Sequence, residues 1–169
     1  MKISKLLFAF MTLSLFLTFS ACSNEIDDNV ESGSIVGTWT FSEAVADVIE
    51  SNNPEYNSKI GEYVAEKGRR DYDMTIIFTA DGQVTTVYSD DDERETSTIS
   101  YTFEDDILTF IKDGETLGSI PVSVDGNKLY LYDDYEAEFN FSNSGGYVEG
   151  ISDTSVRAEK AIVKITFTR

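Results

Sequence analysis

The chain has no histidine and a single cysteine among its 169 residues. Without histidine there is no Ser-His-Asp or Cys-His catalytic arrangement and no zinc site of ordinary composition. One cysteine forms no disulfide within the chain, so a secreted disulfide scaffold is excluded. Cations are scarce as well: 13 Lys and Arg stand against 31 Asp and Glu, a net charge of −18. Such a surface repels phosphate backbones, which argues against any nucleic-acid partner, and it steers cationic partners inward. In the plainer reading it simply keeps the protein soluble. The main apolar run, Leu6–Phe19, covers about 14 residues, short of the roughly 20 that a membrane-spanning helix needs.

Chemical motifs are missing too. There is no G-x-G-x-x-G and no G-K-[ST] to cradle a phosphate. Asp90-Asp91-Asp92-Glu93 is rich in oxygens but lacks the alternating acids, the glycine and the late Glu of a calcium loop, and it reads as a solvated hairpin turn. Glu136 and Glu138 alternate as if on one strand face. Paired-carboxylate catalysis would need one of them raised in an apolar pocket, which no residue pattern signals. The sequence therefore assigns no catalytic residue, no metal ligand and no cofactor, and an enzyme is not expected.

The N-terminus carries an address. Met1–Lys5 is short and basic, and Leu6–Phe19 has the form of a signal-peptide core. Phe19-Ser20-Ala21-Cys22 follows, with small residues directly before the lone cysteine. This resembles the bacterial lipobox. The resemblance implies cleavage before Cys22, diacylglycerol on its sulfur and acylation of its new amine with a fatty acid such as palmitate. Several acyl chains on one residue suffice for stable anchoring. Ser23–Ser34 is polar, acidic and without periodicity, which predicts a disordered tether. Its Glu25, Asp27 and Asp28 resemble the surface-export tether of some anaerobic Gram-negative lipoproteins. That implies an outer-membrane lipid anchor with the domain at the cell surface, or alternatively facing the periplasm. The expected organisation is a signal peptide over 1–21, a flexible tether over 22–34 and a globular domain over 35–169.

The globular part is organised around Tyr72–Tyr132, a series of alternating apolar runs broken by Asp/Gly turns about 8 to 13 residues apart, the rhythm of an antiparallel up-and-down meander. Alternation places Met74, Ile76 and Phe78 on one face, then Ile99, Tyr101 and Phe103, then Leu108 and Phe110, Ile120, Val122 and Val124, and Leu129 and Leu131. Before the meander, Ile35–Phe41 reads as a first strand. Ser42–Arg70 breaks the strand rhythm. Ala44, Val45, Val48 and Ile49 mark a helical face. Asn53-Pro54-Glu55 restarts a helix with an Asn cap and Pro at its first position. Tyr56, Ile60, Tyr63 and Val64 continue the stripe, and Gly68 suits the residue just past the helix end. After the meander, Tyr135–Phe141 reads as a further strand with Phe139 and Phe141 on one face. Ser142–Ser155 is a Gly/Ser loop. Lys160–Arg169 is the last strand, with Val163, Ile165 and Phe167 inward and Lys164 and Thr166 outward. Pairing this strand with the first would close a barrel and remove both sheet edges.

Gly37-x-Trp39 on the opening strand, followed by a meander of barrel length, resembles the lipocalin and lipocalin-like barrels, including small bacterial lipoproteins of that type. The resemblance spans about 35–132 plus a closing strand. It implies an all-β, antiparallel up-and-down barrel of eight or nine strands, with a helical insertion over about 43–68 acting as a lid or plug. In that family the tryptophan packs across the closed end. The implied function is binding of a small apolar or amphipathic ligand, with Trp39, Met74, Phe78, Tyr101, Phe110 and Leu131 as candidate wall residues. An interior rich in Phe and Leu is equally compatible with a filled core. The alternative is a surface interaction module that meets a glycan or protein through Tyr130 and Tyr132 on the outer face, including inhibition of a basic enzyme such as lysozyme. A monomer is expected.

Overall fold

The computed structural model describes residues 34–90 and 93–169. The signal peptide, the Cys22 lipobox and nearly all of the tether lie outside the described residues. Eight strands run β1 (Gly37–Ser51), β2 (Thr75–Phe78), β3 (Gln83–Asp90), β4 (Glu93–Glu104), β5 (Ile107–Lys112), β6 (Glu115–Asp125), β7 (Lys128–Asp134) and β8 (Ala158–Thr168). Every strand pairs antiparallel with its neighbour in sequence, and β8 pairs with β1, so the sheet closes on itself. Closure leaves no unpaired edge. The expected all-β up-and-down barrel is thus the observed one, with eight strands.

The turns explain why a meander forms. Asp105 and Asp106 both take positive φ, 50° and 60°, between β4 and β5. Asp113 and Gly114 do the same at 53° and 82° between β5 and β6. Two consecutive positive φ values give the turn whose twist matches that of the flanking strands, and Asp and Gly tolerate it best. Inward residues then follow the pleat, and the core contains Met74, Ile76, Phe78, Leu108, Ile120, Val122, Leu129, Leu131, Val163, Ile165 and Phe167.

Three segments depart from the expectation. The first is Ser42–Ser51, which continues β1 and is not helical. Bulges fall between Phe41 and Glu43, Ala46 and Val48, and Glu50 and Ser51. The first two add a residue on the β1 side and the third adds one on the β8 side. Phe41, Ala44, Ala46 and Ile49 therefore stand opposite Phe167, Ile165, Val163 and Ala161, one face of β8. Their spacing of three, two and three residues imitates a helical stripe although the backbone is extended. Val45 turns outward and is exposed.

The second is the helix. A single 3-10 turn at Pro54–Tyr56, capped by the Asn53 side chain, leads into α1, Asn57–Tyr72. The helical insertion is therefore shifted from 43–68 to 54–72. Gly68 lies inside the helix and not beyond its end. It belongs to a buried stripe of Ile60, Gly61, Val64, Gly68 and Tyr72. A Cβ on Gly68 would stand 3.0 Å from Val163 Cγ1 and 3.4 Å from Ala44 Cβ, so glycine is what lets α1 settle onto the β1–β8 ribbon.

The third is Tyr135–Phe141. It forms a helix, α2 (Glu136–Ser144), in place of a strand. The Asp134 carboxylate accepts the Glu136 amide at 2.8 Å, and Glu136 and Glu138 occupy the favourable acidic first turn. Phe139 is fully buried while Phe141 is 73% exposed, so the two phenylalanines lie on opposite sides of a helix. A window this short alternates by coincidence. The α2 helix packs beside α1: Tyr63 donates to Ser142 at 2.7 Å, its ring meets Phe139 edge-on, and Lys67 pairs with Glu138 at 3.5 Å.

Candidate functional site at the barrel mouth

The two ends of the barrel differ. At the base Trp39 is fully buried and its indole N–H donates to the Ile35 carbonyl at 2.7 Å. The Arg169 guanidinium lies over its ring, 4.4 Å from the centroid, and donates to the carbonyls of Val36 and Gly126 at 3.3 and 3.0 Å. The residues just before β1, the residue just after β8 and the β6–β7 turn are tied together there, and the base is sealed.

Above the base Phe78 and Tyr101 meet edge-on, with centroids 5.0 Å apart, and the Tyr101 hydroxyl donates to the Thr79 carbonyl. Over this layer lies an apolar cavity of about 30 Å³. Met74 just before β2, Ile76 of β2, Val84 and Thr86 of β3, and Ser97 and Ile99 of β4 form one side. Leu108, Phe110, Ile120 and Leu131 form the other, and Tyr72 from the end of α1 completes the wall. Ile99 and Phe110 stay only half-buried, so the cavity opens toward solvent on the β4–β5 side.

Tyr72 is the one wall residue that a helix carries. Its hydroxyl donates to the Asp133 carboxylate at 3.1 Å. One residue earlier, Asp71 accepts from the Tyr135 hydroxyl at 3.0 Å. Adjacent residues of α1 thus make crossed hydrogen bonds to β7 and to the residue that starts α2. Burial pushes the Tyr72 and Tyr135 hydroxyls well above the ordinary tyrosine range, and the negative charges of Asp133 and Asp71 add to this. Burial also raises the Asp71 carboxyl. Tyr88, on the inward face of β3 near the mouth, is pushed up to about 12 by burial and by the Asp71 charge.

Of the six candidate wall residues, Met74, Phe110 and Leu131 line the cavity. Phe78 and Tyr101 form its floor, and Trp39 belongs to the sealed base. Alternation alone does not rank depth along the barrel axis, so the layers were not separable. Thr86, Ser97 and Tyr72 escaped notice because hydroxyl residues in a strand and a tyrosine at a helix end carry no inward signal. Glu136 and Glu138 stand in the first turn of α2, and Glu138 is engaged by Lys67. Tyr130 and Tyr132 are half-buried, and the Lys164 ammonium lies 5.5 Å from the Tyr130 ring centroid. Thr166, on the outer face beside Tyr130, is buried. Among the described residues no group of His, Cys, Asp and Glu is placed to hold a metal ion, and no helix is long and apolar enough to cross a membrane.

A closed eight-stranded barrel, sealed at one end by a tryptophan and holding an apolar cavity under a helix at the other, is the architecture of a small-molecule binding module. The chain belongs to the lipocalin-like domain family, whose pattern it matches over residues 35–131. Proteins of this family are generally binding proteins and not enzymes. No curated protein and no solved structure matches the chain. The family match ends within β7, so α2 and the closing strand lie beyond it.

Proposed function

We propose that this protein is a lipoprotein, anchored through acylated Cys22 to the outer membrane and displayed at the cell surface, whose barrel binds a small apolar or amphipathic molecule. The observation that carries the binding role is the construction of the cavity. Its wall is apolar apart from hydroxyls, it opens on one side, and it is closed on another by a single residue on a helix. A space of about 30 Å³ holds only about two water molecules, so a larger ligand must displace part of the wall. Tyr72 is that part, because moving it breaks no strand ladder. The anchor rests on the signal-peptide core and the small residues before Cys22, and surface display on the acids that follow.

The test is native mass spectrometry of the protein purified from its own membrane and from a foreign host. A small molecule that is retained in both and released on denaturation is the expected result. An empty barrel that also fails to take up apolar probes would refute the binding role. The anchor is tested separately by Cys22→Ala, which should leave the detergent phase. Unchanged partitioning would refute acylation.

A further inference from the structure

Among the described residues the inner wall holds one fully buried hydroxyl without a partner. Thr86 is 7% exposed and its Oγ1 meets no hydrogen-bonding group. Its neighbour on the outer face shows the contrast: Thr85 Oγ1 shares a 2.8 Å hydrogen bond with Thr98. A hydroxyl buried without a partner costs about 1–3 kcal/mol, so a position of this kind calls for an occupant. Ser97 stands directly across from Thr86 in the β3–β4 register and lines the same cavity. The two hydroxyl residues make a polar notch in an otherwise apolar wall. It sits on the mouth side of Val84 and Ile99, the next inward pair toward the base.

The charges around the notch limit what it accepts. No Lys or Arg lines the cavity, and the chain has no histidine. A carboxylate placed at Thr86 would be desolvated with no cation to meet it, which costs several kcal/mol. The mouth adds the carboxyls of Asp71 and Asp133, which face Tyr135, Tyr72 and Tyr88. Of the α1 cations whose charge reaches Asp71, Lys67 is paired with Glu138 and Arg70 with Glu66. An ammonium head would find no carboxylate in the wall itself.

We infer that the Thr86–Ser97 notch selects an uncharged amphiphile: an apolar body directed toward Phe78 and Tyr101 and one neutral hydrogen-bonding head, a hydroxyl or carbonyl, at Thr86. This rests on the binding role proposed above and specifies its ligand class.

The test compares four probes of equal chain length, decanol, decanoate, decylamine and decane, titrated calorimetrically at neutral pH into the mature chain produced without its acyl groups. Decanol should bind at least about tenfold more tightly than the other three, the value of one good buried hydrogen bond. Thr86→Val, which keeps the shape and removes the hydroxyl, should erase the advantage of decanol over decane. That variant loses an unsatisfied group, so it folds at least as stably as the parent. Decanoate or decylamine matching decanol would overturn the inference, as would Thr86→Val leaving the preference intact. Failure of all four probes would overturn the binding role itself, an outcome distinct from the loss of head-group selection.

Discussion

The Tyr72 hydroxyl donates to Asp133 at 3.1 Å, and through this bond the last residue of α1 is held against the barrel rim while its ring forms the cavity wall. Asp71 and Tyr135 make the reciprocal bond beside it. Together the two bonds fasten the one wall residue that a helix contributes.

Tyr72→Phe keeps the ring and removes the fastening. The expected loss of stability is about 1–3 kcal/mol, the cost of a buried hydrogen bond to a charged acceptor. Backbone amides in the last turn of α1 should exchange faster, and ligand uptake should accelerate. Denaturant midpoints, hydrogen exchange and stopped-flow binding measure the three effects. A variant with wild-type exchange in that turn would show that the bond does not hold the helix end.

Alkali should unfold the protein. The Tyr72, Tyr88 and Tyr135 hydroxyls are raised, mainly by burial, whereas unfolded tyrosines ionise near pH ~10. Above that pH the unfolded chain releases protons that the folded chain retains, so stability is full below it and falls as pH rises. Replacing Tyr72 by Phe should reduce the slope of unfolding free energy against pH by about one proton. Equilibrium denaturation across the alkaline range measures the slope, and an unchanged slope would contradict the burial of this hydroxyl.

Asp71 has the opposite placement on the pH scale and the same sign. Burial raises its carboxyl, so folding favours the protonated form. Its contribution is complete below the ordinary carboxylate pKa and is lost as pH climbs through the raised value. Asp71→Asn should be more stable than the parent above that window and indistinguishable from it below. Paired denaturation curves at acidic and neutral pH check this.

Gly68→Leu should destabilise by about 1–3 kcal/mol or more, because α1 would be lifted from Val163 and Ala44. The ordinary helix-propensity gain of replacing glycine, up to about 1 kcal/mol, would be outweighed. A Gly68→Leu protein of wild-type thermal stability would refute the close approach.

Trp39→Ala should cost about 3–5 kcal/mol, as expected for a fully buried large aromatic. Arg169→Ala, which removes the cation over the ring, should cost about 0.5–1 kcal/mol because that guanidinium is exposed to solvent. Thermal melts of the two variants measure the ratio.

The meander was legible in the sequence because the strands from β2 to β7 alternate and are joined by local turns, so pattern and backbone agree within a window of a few residues. The closing of β8 onto the Trp39 strand was legible for the same reason, since both carry clean inward alternation at their lower ends. The misread segments are those where distant contacts override the local pattern. Ser42–Ser51 is extended because β8 pairs with it through three bulges, and a bulge is invisible until the partner strand is present. Tyr135–Phe141 is helical because Phe139 has a pocket beside Tyr63 and Asp134 caps the turn, neither of which a two-residue period reports.

The same division holds at the site. Apolar alternation determined by itself that the barrel interior would be lined by residues such as Met74, Phe110 and Leu131, because inward direction is a property of one strand. The absence of histidine and the acid excess shaped the expectations about chemistry and partners, because composition needs no fold to be read. Only the tertiary structure decided that Trp39 seals a base and not a pocket, that the Thr86 hydroxyl is left unpaired opposite Ser97, and that Tyr72 of α1 completes the wall. Each of those depends on height along the barrel axis and on which element stands across from it. These quantities arise when eight strands close around one another, and no single segment of the chain encodes them.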